Sequence, residues 1–196
     1  MRVGLLFIIG ALALSCTRTP SPDESSAFTK ADTITDQLLV LQDSLHHRWL
    51  QVSIHEQLHT DHLAELFSQA LDWLALPHHE QAAIHNQILQ LRQLQLNPRN
   101  MTNPDVIREH DLARHALTTD IFRIIERHEL HLKDSGIADL ARKIQELQEA
   151  TWPVRITYDS LAHHYNQYLL QHEQTLTAHD PANQHAPRPL FRAVLK

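Results

Sequence analysis

Residues 34 to 74 read ITDQLLVLQDSLHHRWLQVSIHEQLHTDHLAELFSQALDWL. Within them Ile34, Leu38, Leu41, Leu45, Trp49 and Val52 recur at intervals of three and four, the spacing that lines one face of an α-helix. At about 100° per residue the same face continues through Leu63, Leu66, Ala70 and Leu74. No proline or glycine falls between Pro22 and Pro77, so nothing interrupts the period and one very long amphipathic helix is predicted. Glycine is scarce everywhere: after Ala11 the only one is Gly136. A chain so poor in glycine lacks both the turns of a sheet-rich fold and the loops that cradle phosphates.

Outward from this helix the breakers divide the rest. Residues 79 to 97 repeat the helical pattern more weakly, with Gln81, Ile84, Ile88, Leu91 and Gln95 on one face. PRNMTNP, residues 98 to 104, is a loop. A third helix over 105 to 133 turns Ala113, Leu117, Ile121, Ile124 and His128 inward, with Asn103 or Asp105 as its cap. Asp134-Ser135-Gly136 ends it, Gly136 suiting the left-handed residue that closes a helix. A fourth helix runs from about Ile137 to Leu176, with Leu140, Ile144, Leu147, Val154, Tyr158, Tyr165 and Leu169 on one stripe and a kink expected at Pro153. Short connections at 77 to 78 and 134 to 136 favour antiparallel neighbours. The expected fold is all-α: an antiparallel up-and-down four-helix bundle over residues 28–178, with a very long first helix and a kinked fourth. Residues 179–196 form a Pro-rich tail whose Leu190, Phe191, Val194 and Leu195 would dock on the bundle as a short turn.

The chain has 196 residues, a formal net charge of −6 with histidine neutral, and one cysteine. The acidic balance argues against nucleic acid, whose phosphates need clustered Lys and Arg. At the amino terminus Arg2 precedes VGLLFIIGALAL, residues 3 to 14, an apolar run too short to span a hydrocarbon core that takes about 20 residues of helix. It reads as a secretory signal over residues 1–15. Ala13 and Ser15 before Cys16 resemble a bacterial lipobox, which implies cleavage before Cys16 and diacylation of its sulfur, enough for stable anchoring. Residues 16–27 are then a polar tether. The resulting expectation is a lipoprotein of the bacterial cell envelope, its domain in the periplasm and the outer membrane favoured because Thr17, not Asp, follows the cysteine.

A second resemblance spans about residues 38 to 170. Leu132-Lys133, Ile137, Leu140, Ile144, Arg155, Tyr158-Asp159 and Tyr165-Asn166 fall in the register of a phrase carried by the LemA family, and Leu45, Trp49 and Val52 are similar to positions in that family's first helix. The chain departs from the family where LHTDHLAELF, residues 58 to 67, replaces an arginine-pair and proline motif. The resemblance implies a membrane-anchored, extracytoplasmic helical bundle with no established biochemical activity, and marks Trp49, Arg155, Tyr158, Tyr165 and Asn166 as motif positions.

Histidine is abundant, 17 residues in all. His55, His59 and His62 stand at i, i+4 and i+7, the spacing by which a helix offers imidazoles to one metal. Helix lengths counted from the junctions bring His55, His59, His110 and Tyr158 to one interior level. Three neutral imidazoles there, His55, His59 and His110, would suit Zn or Cu. The same side chains could instead be hydrogen-bonded core histidines. His78, His79, His128 and His131 gather at one bundle end, and His163 and His164 face solvent. Glu56 and His59 make a single ExxH pair without the second that a di-iron bundle requires. No acid–base pair or nucleophile elbow is defined, so no catalytic residue is expected. The leading expectation is a non-enzymatic interaction or assembly module, with a membrane bound through acylated Cys16, an envelope protein as partner and no cofactor. The alternative is a periplasmic His-rich protein that binds Zn or Cu.

Overall fold

The computed structural model describes residues 29–179, 181 and 185–192; the signal segment 1–15, Cys16 and the tether 16–27 lie outside the described residues, as do Val194 and Leu195. Among the described residues every regular element is helical. In chain order they are α1 (Lys30–Trp73), α2 (His78–Gln93), a 3-10 turn (Asn100–Thr102), α3 (Pro104–Arg127), the single turn α4 (Leu130–Lys133) and α5 (Ser135–His179).

Caps explain where these helices begin. Thr29 and Asp32 close a reciprocal box at the start of α1: Thr29 N donates to Asp32 Oδ2 at 2.8 Å and Asp32 N to Thr29 Oγ1 at 3.1 Å. At α3 the Asn103 side chain accepts from Asp105 N at 3.0 Å, and Pro104 occupies the first helical position, where its missing N–H costs nothing. Asp134 starts α5, its Oδ1 accepting from Gly136 N at 2.7 Å and Ile137 N at 3.3 Å.

The expected single helix over 105 to 133 is instead broken. α3 stops at Arg127, and the left-handed residue is Glu129 at φ 53°, not Gly136. Gly136 sits in the first turn of α5, where a Cβ would come within 3.1 Å of the capping carboxylate of Asp134. Its smallness admits the cap. α2 ends at Gln93 rather than 97, and α5 continues without a break through Pro153.

α1 and α5 are the two long elements and run antiparallel. Tyr168 Oη donates to Ile34 O at 3.1 Å, His55 Nε2 meets Leu147 O at 2.8 Å, and Trp73 Nε1 donates to Asp134 Oδ2 at 3.1 Å, so position falls along α5 as it rises along α1. Trp73 falls at the end of α1, where it is exposed and serves as a polar tie to Asp134. The buried apolar side chains form two clusters. One joins Leu63, Leu66 and Phe67 of α1 to Ile88 of α2, Leu117 and Ile121 of α3, and Ile137 and Ile144 of α5. The other joins Leu38, Leu45 and Val52 of α1 to Ile107 of α3 and to Tyr158, Ala162 and Tyr165 of α5. Each fully buried Leu or Ile contributes about 1.5–3 kcal/mol. Between the clusters the buried side chains are polar: His59 and Thr60 of α1, His110 of α3, and Thr151 and Arg155 of α5.

The described part of the tail docks on the bundle, without regular structure over 185–190 and with a bend at 191–192. It lies against the α1–α5 pair, with Leu190 and Phe191 packed on the second cluster.

Candidate functional site

The polar layer is built from three helices. Glu56 of α1 accepts from Arg155 of α5 at 2.9 Å through Nε, and from Arg114 of α3 at 3.2 Å. The Arg155 fork also grips Asp111 of α3 bidentately, at 2.9 Å and 2.8 Å. Arg114 donates in addition to Thr151 Oγ1 at 3.0 Å. Two guanidinium groups thus face two carboxylates and the layer is charge-balanced, which is what allows Arg155 to be 7 % exposed.

The electrostatics follow from this mixture of burial and pairing. Burial pushes the Glu56 carboxyl up, but the Arg114 and Arg155 charges prevail and hold it below its ordinary value. Burial likewise opposes the Asp111 carboxylate, yet contacts with His110 and Arg155, together with the Arg114 charge, hold it well below the carboxylate range. Arg155 is raised: burial works against its charge and the bonds to Asp111 and Glu56 overcome it.

The structure divides the three candidate metal ligands. His55 turns to α5, where its Nε2 lies 2.8 Å from Leu147 O and 3.1 Å from Thr151 Oγ1. A carbonyl only accepts, so that nitrogen carries the proton and cannot ligate. His59 is fully buried, neither ring nitrogen has a hydrogen-bond partner, and burial together with the Arg114 charge lowers its pKa to about 4. His110 is buried with Nδ1 3.5 Å from Asp111 Oδ1. Among the described residues no group of three or more His, Cys, Asp or Glu side chains is placed to hold a metal ion. At the bundle end His78, His79 and His131 are exposed and His128 is half-buried; His163 and His164 are exposed.

Beside the layer a cavity of about 320 Å³ opens between α1, α2 and α3, lined by Trp49, Ser53, Glu56, Thr60, Arg92 and His110 among others. Of the five motif positions Trp49 lines this cavity and Arg155 belongs to the layer, while Tyr158 and Tyr165 lie in the second cluster. Arg155 is the hub of the layer. Trp49 meets Tyr158 edge to face at 5.5 Å, and both rings pack on Phe191 of the tail. Tyr165 Oη accepts from Gln42 at 3.3 Å, and Asn166 bonds the tail backbone.

The sequence pattern does not single out Asp111 or Arg114 as site residues. Arg114 falls about 60° from the Leu117 stripe and so carried a weak inward signal, whereas Asp111, about 120° away, carried none. No protein-family model matches the chain, and neither a curated protein nor a solved structure matches it.

Proposed function

We propose that this chain is a non-enzymatic interaction module of the bacterial cell envelope: a LemA-like lipoprotein held by acyl chains on Cys16, its helices forming an up-and-down four-helix arrangement in the periplasm. The observation that carries the non-enzymatic reading is that the interior charges engage one another. Both oxygens of Glu56 and both of Asp111 are held by Arg114 and Arg155, so the carboxylates act as a lock between helices and not as an acid–base pair. The helical arrangement is supported by polar ties between neighbours, Arg92 to Asp61 at 3.0 Å and Gln87 to Asp120 at 2.9 Å.

The interaction reading is supported by the outer face of α1. Leu50, Ile54 and Leu58 recur every four residues and are 43 %, 57 % and 43 % exposed, an apolar stripe about 12 Å long. A photo-cross-linking side chain placed at Leu50, Ile54 or Leu58 in living cells tests the reading. Discrete adducts in the envelope fraction are expected. A folded, membrane-associated protein that gives no adduct from any of these positions would overturn it.

A further inference from the structure

The way residues 185–192 are held resembles ligand capture more than core packing. None of these residues is buried, yet four hydrogen bonds from α5 side chains reach their backbone. Asn166 Oδ1 accepts from Arg188 N at 2.7 Å while its Nδ2 donates to Arg188 O at 2.8 Å. The Asp159 carboxylate accepts from two successive amides, Phe191 N at 2.8 Å and Arg192 N at 3.2 Å. The spacing is matched: seven residues of helix rise about 10.5 Å, and three residues of extended chain, from 188 to 191, span about 9–10 Å. Position falls along α5 as it rises along the tail, so the two run antiparallel. Pro187 and Pro189 favour an extended backbone whose polar groups stay free for such clamps.

Three side-chain contacts add a pattern to this backbone grip. Phe191 stacks on Trp49 with centroids 6.2 Å apart, meets Tyr158 edge on at 5.7 Å, and lies 4.6 Å beneath the Arg155 guanidinium. The Arg188 guanidinium stands 5.7 Å from the Tyr165 ring, and that of Arg192 3.5 Å from the Trp152 ring. A cation, an aromatic anchor three residues later and a second cation are each met by an aromatic platform or slot.

We propose that this face of α1 and α5 is a peptide-docking groove for an extended partner segment of the form Arg-Pro-x-Phe-Arg, and that the chain's own tail is a resident occupant which such a segment displaces. The inference rests on the interaction-module reading and names its partner. It uses other residues of α1 than the outer stripe: Gln42 and Trp49 meet the tail, while Leu50, Ile54 and Leu58 stay exposed.

The test uses a labelled peptide of the sequence HAPRPLFR, titrated by fluorescence anisotropy into the chain from residue 17 onward. A tethered tail competes intramolecularly, so weakening it with Phe191→Ala, or more mildly with Arg192→Ala, should tighten peptide binding at least about tenfold over the parent. Adding Asn166→Ala to the weakened chain, or changing the peptide's Phe to Ala, should abolish binding. Circular dichroism melting confirms that each variant is folded, and Arg192→Ala, which changes only an exposed side chain, serves if Phe191→Ala is not. Failure of the peptide to bind any folded tail-weakened chain would overturn the proposal. Binding that Asn166→Ala leaves intact would also overturn it, by placing the peptide elsewhere. Concentration-dependent dimers that exclude the peptide would overturn it in favour of tail exchange between copies. None of these outcomes alters cross-linking from Leu50, Ile54 or Leu58, so the two readings fail separately.

Discussion

Arg155 is the residue on which three helices converge, and its loss should be expensive in a specific way. Arg155→Ala would leave Glu56 and Asp111 facing each other with only Arg114 between them, and breaking a buried pair from one side costs about 3–5 kcal/mol. Urea unfolding should show that loss. Replacing Glu56, Asp111, Arg114 and Arg155 together by apolar residues of similar volume should recover most of it, because no unpaired charge then remains. His59 sets a separate dependence on pH. Its folded pKa of about 4 lies below the unfolded value of 6.5, so the stability tied to its neutral ring is whole above 6.5 and is lost as pH falls toward 4. That loss amounts to about 3 kcal/mol. Glu56 and Asp111 are also depressed, so their contribution goes at lower pH still, as the carboxylates protonate. Unfolding free energy measured from pH 8 to 4 should slope downward through this window, and His59→Leu should flatten the slope above pH 4. The inward turn of His59 was legible from helical period alone. Its neighbours were not: Arg155 lies 99 residues from Glu56 and 44 from Asp111, and periodicity says nothing about which distant side chains meet.

Elements were legible wherever a breaker or a cap marked them. Pro77, the loop of residues 98 to 104 and Asp134 each fall at a real boundary, because proline and side-chain caps act locally and leave a local signature. The break after Arg127 left none. Glu129 adopts a left-handed conformation that only glycine and, less often, Asn or Asp enter cheaply, so the sequence around it reads as continuous helix. The conformation is imposed from outside: Leu130 is buried in the first cluster and its turn leads the chain into α5. Glu129→Gly should therefore relieve the strain and raise stability by about 1 kcal/mol, seen as a higher melting temperature. A lower melting temperature would mean that the glutamate side chain contributes more than its backbone conformation costs.

At the scale of the molecule, two apolar clusters are joined through a charged layer, and α1 and α5 thread all three. The long helices were foreseeable because each cluster repeats the same period along one uninterrupted segment; of the layer between them the sequence marked the histidines, Glu56 and Arg155, but not that Glu56 and Arg155 meet. None of the described helices is long and apolar enough to cross a membrane, and the lipoprotein proposal places its anchor among the amino-terminal residues. There the apolar run of residues 3 to 14 is too short to span, and Cys16 is the only sulfur able to carry acyl chains. Two or more chains on one residue bury enough methylenes to hold a protein at a surface, where a single chain gives marginal, reversible binding. Cys16→Ala should accordingly either release a soluble periplasmic protein or leave an uncleaved precursor, while the far-ultraviolet circular dichroism of residues 17 to 196 stays strongly helical. Fractionation and intact-mass measurement of the Cys16→Ala chain decide the matter: a variant that is processed and still membrane-bound would show that something other than acylation holds the domain, and the outer face of α1 at Leu50, Ile54 and Leu58 would be the first place to look.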